Sequence, residues 1–245
     1  MTYQYRRPHA DAVASRAEPT LARRTATQPR TRPEAPVSMA RLAYTSIREK
    51  LVMLDIAPGE PIDEKWEAAR LGVGRTPVRE ALKRLEADRL VVAYPRRGTF
   101  ASDVRISDLA LIAEVRARLE PFAARCAAER RTPSAAEELV RLRDEVEGEA
   151  LATRNPRALV ELDKRAHTAV YRTAENPFLE ETLLRYFHLA TRIWCLFLDR
   201  LPDLSDHVKE HAVLLEAVLD GDANRAEKLS RLHIVGFEQA IRSVI

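Results

Sequence analysis

The stretch from Gly72 to Ala101, GVGRTPVREALKRLEADRLVVAYPRRGTFA, constrains the fold more than any other part of this chain. It reads as a tight turn, a short basic helix and two apolar strands around a basic, Gly-containing tip. Thr76 is a good N-cap, and Pro77 suits a first helical turn, where its missing N–H leaves nothing unpaired. Beyond it Val78, Leu82 and Leu85 fall on one helical face, and Arg75, Arg79 and Lys83 on another. A basic front, an apolar back and a tight turn ahead of both are what a helix needs to read the DNA major groove.

The flanking segments complete a module. Leu42, Ile47, Leu51, Leu54 and Ile56 mark an amphipathic helix over 39–55, ended by Pro58-Gly59. A second helix over 63–71 is closed by Gly72, and the third runs over 76–89. Strands Leu90–Ala93 and Thr99–Ser102 flank the tip Tyr94-Pro95-Arg96-Arg97-Gly98, so Arg96 and Arg97 can reach a groove or phosphates. Residues 39–103 thus read as a winged helix-turn-helix domain. Ahead of them, residues 1–38 hold seven Arg against three acids, five Pro and no apolar period, the composition of a disordered basic arm. Such an arm could strengthen DNA binding non-specifically or be inert, and Met39 could be the true start.

After about residue 105 the pattern is helical throughout. Helices are expected near 106–130, 134–153, 156–174, 178–200, 205–219 and 222–243, broken at Thr132-Pro133-Ser134, Asn155-Pro156, Asn176-Pro177, Leu201-Pro202 and Asp220-Gly221-Asp222. The fold class is therefore mainly α, with a second domain over 106–243 built as a six- to seven-helix bundle. Charge divides the same way. Residues 39–105 carry thirteen Lys and Arg against ten acids, and residues 106–245 carry twenty against twenty-four. A basic front half points to nucleic acid as its partner. The two cysteines, Cys126 and Cys195, sit in apolar helical patterns, which argues against a disulfide framework and for a reduced compartment. No apolar run approaches the roughly 20 residues of a membrane span, and the N-terminus lacks the apolar core of a secretory signal. A soluble, cytoplasmic protein is expected, without membrane contact.

The six histidines repay individual inspection. Asp163 and His167 are one helical turn apart and share a face. His211 and His233 each lie 11 residues from Asp222, about 16 Å along their helices, so antiparallel pairing brings them level. Three imidazoles and a carboxylate on interior faces would suit Zn²⁺, Mn²⁺ or Ni²⁺ with one or two positions open. Histidines on apolar faces also occur as hydrogen-bonded core residues, and spacing alone does not choose between the two. His9, His188 and His207 show no matched partner. No Cys-x-x-Cys, phosphate loop or Gly-x-Ser-x-Gly elbow occurs.

The phrase GVGRTPVREALKRLEADRLV followed by RRGTFA resembles the DNA-binding domain of the GntR family of bacterial transcription regulators. EVRARLEPFAARCAA, LDKRAH, the Asn176 turn and EHAVLLEAVLDGDANRAEKLSRLH, in that order, resemble the helical FCD effector domain of its FadR-like branch. The resemblance implies a homodimer that binds double-stranded operator DNA and responds to a small organic acid. It implies a divalent metal held by Asp163, His167, His211 and His233, and a ligand contact from Arg116. The DNA-facing set it implies is Lys65, Arg75, Thr76, Arg79, Lys83, Arg96, Arg97 and Gly98. Three positions depart from the family pattern: Gly74 replaces a Ser, Lys65 an Arg, and Trp66-Glu67 stand where a Leu is usual.

Taken together, these features predict a ligand-responsive transcription regulator, a repressor in the first instance, and not an enzyme. Two other readings are a metal-dependent hydrolase or lyase with an appended DNA-binding domain, and a regulator whose effector pocket no longer works. The hydrolase would need a base from Glu210 or Glu216. Glu210 is expected to face away from the ion, because adjacent helical positions diverge by about 100°.

Overall fold

Ser38 starts the first helix by accepting the backbone N–H of Arg41 at 3.1 Å. A computed structural model describes residues 38–152, 155–200 and 204–245, without the side chains of 149–152. The basic arm, apart from Ser38, and the Leu201-Pro202 break lie outside the described residues.

Helix α1 (Met39–Val52) buries Ala43, Ile47, Leu51 and Val52. It ends three residues earlier than the apolar pattern implies, because Leu54 turns left-handed at φ 59. Leu42, counted as inward in the sequence pattern, points outward. Helix α2 (Glu64–Leu71) is capped by Asp63, whose Oδ1 accepts from Lys65 N at 2.8 Å and Trp66 N at 3.0 Å. Gly72 closes it at φ 64, a conformation that costs glycine little.

Helix α3 (Arg75–Ala87) follows after a three-residue turn. Its N-cap is Gly74, with no side-chain cap, so Thr76 is not the cap but the second residue inside the helix. The extended Gly74 backbone lets the helix begin one residue before that threonine, and Pro77 still lies in the first turn. Val78, Ala81, Leu82 and Leu85 are buried on the face that packs on α1, as their spacing requires.

Strands β1 (Val91–Tyr94) and β2 (Gly98–Ala101) pair antiparallel with Val91 opposite Ala101 and Tyr94 opposite Gly98. Both sit one residue closer to the tip than the pattern suggested, which shortens that tip to Pro95-Arg96-Arg97. Arg96 and Gly98 both have positive φ, 63 and 97. The Glu60–Ile62 segment flanks β2, with Ala101 N donating to Glu60 O at 2.9 Å and Ile62 N to Thr99 O at 2.8 Å.

A 3₁₀ turn (Ile106–Asp108) leads into six helices: α4 (Leu109–Arg130), α5 (Pro133–Ala152), α6 (Pro156–Thr173), α7 (Pro177–Cys195), α8 (Ser205–Asp220) and α9 (Ala223–Arg242). At the two Asn-Pro breaks, Asn155 and Asn176 cap α6 and α7 with prolines in the first turn. Helix α7 stops at Cys195, five residues short of its expected end, and the chain continues in turns through Arg200. Helix α4 packs against α6, α7, α8 and α9, so it forms the centre of the bundle. Cys126 and Cys195 are free, and burial pushes the Cys195 thiol up to about 12, which makes it inert. Among the described residues no helix is long and apolar enough to cross a membrane.

The bundle touches the winged module mainly through α7 and α6. Buried Arg192 donates to Ser102 at the end of the wing, Nη1 to Oγ at 2.6 Å and Nη2 to the carbonyl at 2.8 Å. Arg185 bonds Asp88 at 3.2 Å, and Lys164 bonds Glu49 of α1 at 2.6 Å.

Candidate functional site

Asp163 and His167 rise from one face of α6, His211 from α8 and His233 from α9, and all four are buried. The tight Gly221 turn makes α8 and α9 an antiparallel pair, and the two histidine rings meet with centroids 4.3 Å apart. Asp163 Oδ1 lies 3.5 Å from His211 Nε2 and 3.7 Å from His167 Nε2. His233 Nε2 lies 3.2 Å from His167 Nε2. One ligand atom from each residue falls within 4.8 Å of every other, so the set can hold a metal ion.

The outer nitrogens explain the orientation of the rings. His211 Nδ1 donates to the Val208 carbonyl at 3.1 Å, and His233 Nδ1 to Glu210 Oε2 at 2.8 Å. His167 Nδ1 faces Glu120 Oε2 at 3.1 Å, beside the Tyr171 hydroxyl. An acceptor on each Nδ1 leaves each Nε2 as a lone pair directed inward, which is how metal-binding imidazoles are held. Asp163 Oδ1 and His211 Nε2 are buried with no hydrogen-bond partner. An orphaned buried polar atom costs about 1–3 kcal/mol, and two facing nitrogen lone pairs repel. A cation at the centre would relieve both, so the donor set fits a divalent ion of the Zn²⁺, Mn²⁺ or Ni²⁺ kind.

Electrostatics favour the ligand form of the imidazoles. Burial, reinforced by the neighbouring imidazoles, holds His211 and His233 well below the ordinary histidine range, so both are neutral. Burial lifts the Asp163 carboxyl to about 6 against the pull of His167 and Arg116. Glu120 goes the other way: its burial is outweighed by Arg116 and His167, and its carboxyl falls to about 2.

Against Asp163 and His167 lies a narrow cleft also lined by Arg116, Phe187, Thr191, Trp194, His207 and Phe237. In this conformation it is too narrow for a water molecule. Arg116 reaches the cleft but spends its charge on Glu120, one helical turn away, and its guanidinium lies 5.4 Å from the Phe187 ring centre and 5.5 Å from that of Phe237.

Several residues of this centre are not picked out by the sequence pattern. Glu120 stands at i+4 from Arg116 and Tyr171 at i+4 from His167, a spacing that could have flagged both. His207, which has no matched partner in the sequence, stands one turn before His211 and stacks on His233 at 4.1 Å and 18°. Glu210 is exposed, and the 100° step from His211 turns its carboxylate toward α9, where it supports His233 from behind. Glu216 lies away from the centre, bonded to Arg225 at 2.9 Å. His188 is buried elsewhere, near Arg48 and Lys164.

In the winged module Lys65, Arg75, Thr76, Arg79, Lys83, Arg96, Arg97 and Gly98 are all exposed. Arg75 and Arg79 converge on Glu64 of α2, at 3.5 and 2.7 Å, a link the sequence did not announce. Glu67 takes the inward position on α2, bonded by Lys50 at 2.6 Å and Arg70 at 2.6 Å, while Trp66 turns outward. The unusual Trp66-Glu67 pair is thus accommodated by charge pairing.

Comparison with known proteins agrees with this architecture. Residues 40–101 match the family described as bacterial regulatory proteins, gntR family, and residues 111–236 match the FCD domain. The HTH-type transcriptional repressor RspR of Escherichia coli is 23% identical over 203 residues, covering 82% of this chain and 88% of that protein. The repressor GlaR of the same organism is 27% identical over 210 residues, covering 78% and 90%. Among solved structures, E. coli McbR/YncC has a TM-score of 0.74 at 21% identity, covering 84% of this chain and 98% of that one. A GntR regulator from Rhodococcus sp. RHA1 has a TM-score of 0.64 at 21% identity, covering 84% and 98%. These two structures bear on the fold alone.

Proposed function

Because the chain belongs to the GntR family of bacterial regulatory proteins and carries its FCD domain, we propose that it is a metal-dependent, ligand-responsive repressor of transcription. Residues 39–103 form the DNA-reading head of a homodimer, 106–243 the sensing domain and 1–38 an accessory basic arm. Asp163, His167, His211 and His233 hold a divalent ion, and a small carboxylate effector binds beside it with help from Arg116. The observation that carries the sensing half is the clustering of three buried imidazoles around an unpartnered carboxylate oxygen, with one ligand atom of each of the four residues within 4.8 Å of the others.

On the DNA side, Arg75 and Arg79 reach base edges, while Thr76, Lys83, Lys65, Arg96, Arg97 and Gly98 follow the backbone. A two-fold dimer calls for a palindromic operator. In the free protein Glu64 holds the Arg79 guanidinium ready. A bidentate Arg–guanine contact discriminates by about 1–3 kcal/mol. Arg79→Ala is therefore expected to weaken binding to a duplex selected from random sequence by roughly 5–150-fold at fixed salt. Equal affinity of the two proteins would remove the recognition-helix assignment.

Coupling between the halves runs through α7. Thr191 and Trp194 line the cleft, and Arg192 between them clamps Ser102 at the base of the wing. A ligand that rotates α7 biases the DNA-reading head only if it binds one arrangement more tightly. In full-length protein, adding Zn²⁺ is expected to change amide exchange both in α8–α9 and in the β1–β2 hairpin. Arg192→Met should keep the first response and lose the second. An unchanged hairpin response in that variant would break this route.

Neither base named for the hydrolase reading stands free. Glu210 is engaged on the far side of His233, and Glu216 on Arg225. RspR and GlaR, similar over most of this chain, are transcription repressors.

A further inference from the structure

His207 is a residue at this centre that neither the family motif nor the spacing argument supplied. It occupies the first turn of α8, one turn ahead of His211. Its Nε2 lies 3.7 Å from Asp163 Oδ1, level with the 3.7 Å of His167 Nε2 and close to the 3.5 Å of His211 Nε2. Three imidazole nitrogens therefore fan around one carboxylate oxygen. The orientation of the ring is independently marked. His207 Nδ1 and His233 Nδ1 both face Glu210 Oε2, at 3.7 and 2.8 Å. With the two rings stacked 18° from parallel, both present their Nε2 toward the interior. His207 also lines the cleft, which is too narrow for a water molecule.

We propose that His207 is a fifth, displaceable ligand of the ion, occupying the position that an incoming carboxylate must take. The inference rests on the metal reading and adds two consequences. The donor set becomes four imidazoles and one carboxylate, and imidazole-rich sets suit Ni²⁺ and Zn²⁺ better than Mn²⁺, which favours oxygen. The site is also self-capped: an anion enters by displacing the His207 ring from the ion.

The test uses full-length protein and His207→Phe, which keeps a ring on His233 but no ligand atom. Wild type is expected to bind one Ni²⁺ per chain. The variant should bind Ni²⁺ at least about tenfold more weakly, the scale on which losing support for a metal site is felt, with little change for Mn²⁺. With Co²⁺ in place, the visible spectrum of the variant should differ from wild type. Acetate should perturb the variant's spectrum at concentrations at least about tenfold lower, since His207 no longer competes for the position.

Melting of both metal-free proteins checks that the variant folds, and His207→Gln repeats the comparison without added ring volume. Identical Ni²⁺ affinity and Co²⁺ spectra in wild type and both variants would overturn the proposal. So would two ions per chain, with one lost in each variant, since His207, Glu210 and His233 would then form a separate site. These results leave the four-residue centre standing if His211→Leu abolishes binding. A wild type that takes up no metal at all would instead fell the metal reading itself.

Discussion

Replacing Glu120 with alanine is expected to destabilise the helical domain by about 3–5 kcal/mol, the cost of removing one partner from a buried ion pair. Arg116 is only 3% exposed and lies between two aromatic rings, with Glu120 as the carboxylate it bonds. Without Glu120 its charge stays inside with no acceptor and with no path to solvent. The direction is not a general property of ion pairs. Replacing both residues, as in Arg116→Met with Glu120→Leu, should be nearly neutral or stabilising, because the desolvation cost disappears with the charges. Urea unfolding of the three proteins measures this. A single variant within about 1 kcal/mol of wild type would show that solvent reaches Arg116. Glu120 also receives His167 Nδ1, so the same variant should lose metal affinity by about 10–100-fold.

The second large effect is stabilisation by metal. Zn²⁺ at 100 times its dissociation constant should add about 2.7 kcal/mol, a rise of roughly 5–11 °C in Tm for a chain of this size. His211→Leu should abolish the rise. In metal-free buffer the same variant should be as stable as wild type or more so, because it removes a buried Nε2 that has no hydrogen-bond partner. That opposite sign separates a ligand from an ordinary core histidine. If Nε2 were serving packing alone, the variant would be less stable in both buffers, and scanning calorimetry with and without Zn²⁺ decides between them.

Much of this centre is legible in the order of its residues. The i, i+4 spacing of Asp163 and His167 places them on one face of any helix they occupy. The equal distance of His211 and His233 from Asp222 brings them level in any antiparallel hairpin. Glu210 shows where such reasoning stops. Its angle from His211 follows from helix geometry, but angle about one axis says nothing about which neighbour lies in that direction. His207 carries no signal for the same reason, since its partner is one residue on α9 and another on α6.

What the amino-acid order determined by itself was local: which segments are helical, which face of each is apolar, where caps and turns fall, and that a basic helix follows a tight turn. These depend on backbone sterics and periodicity within a few residues, although Gly74 rather than Thr76 begins α3. Tertiary structure decided how far each helix is rotated about its own axis when packed. That rotation, set by side chains meeting across α4, α6, α8 and α9, brought Glu120, His207 and Glu210 to a centre whose sequence separations no local rule connects.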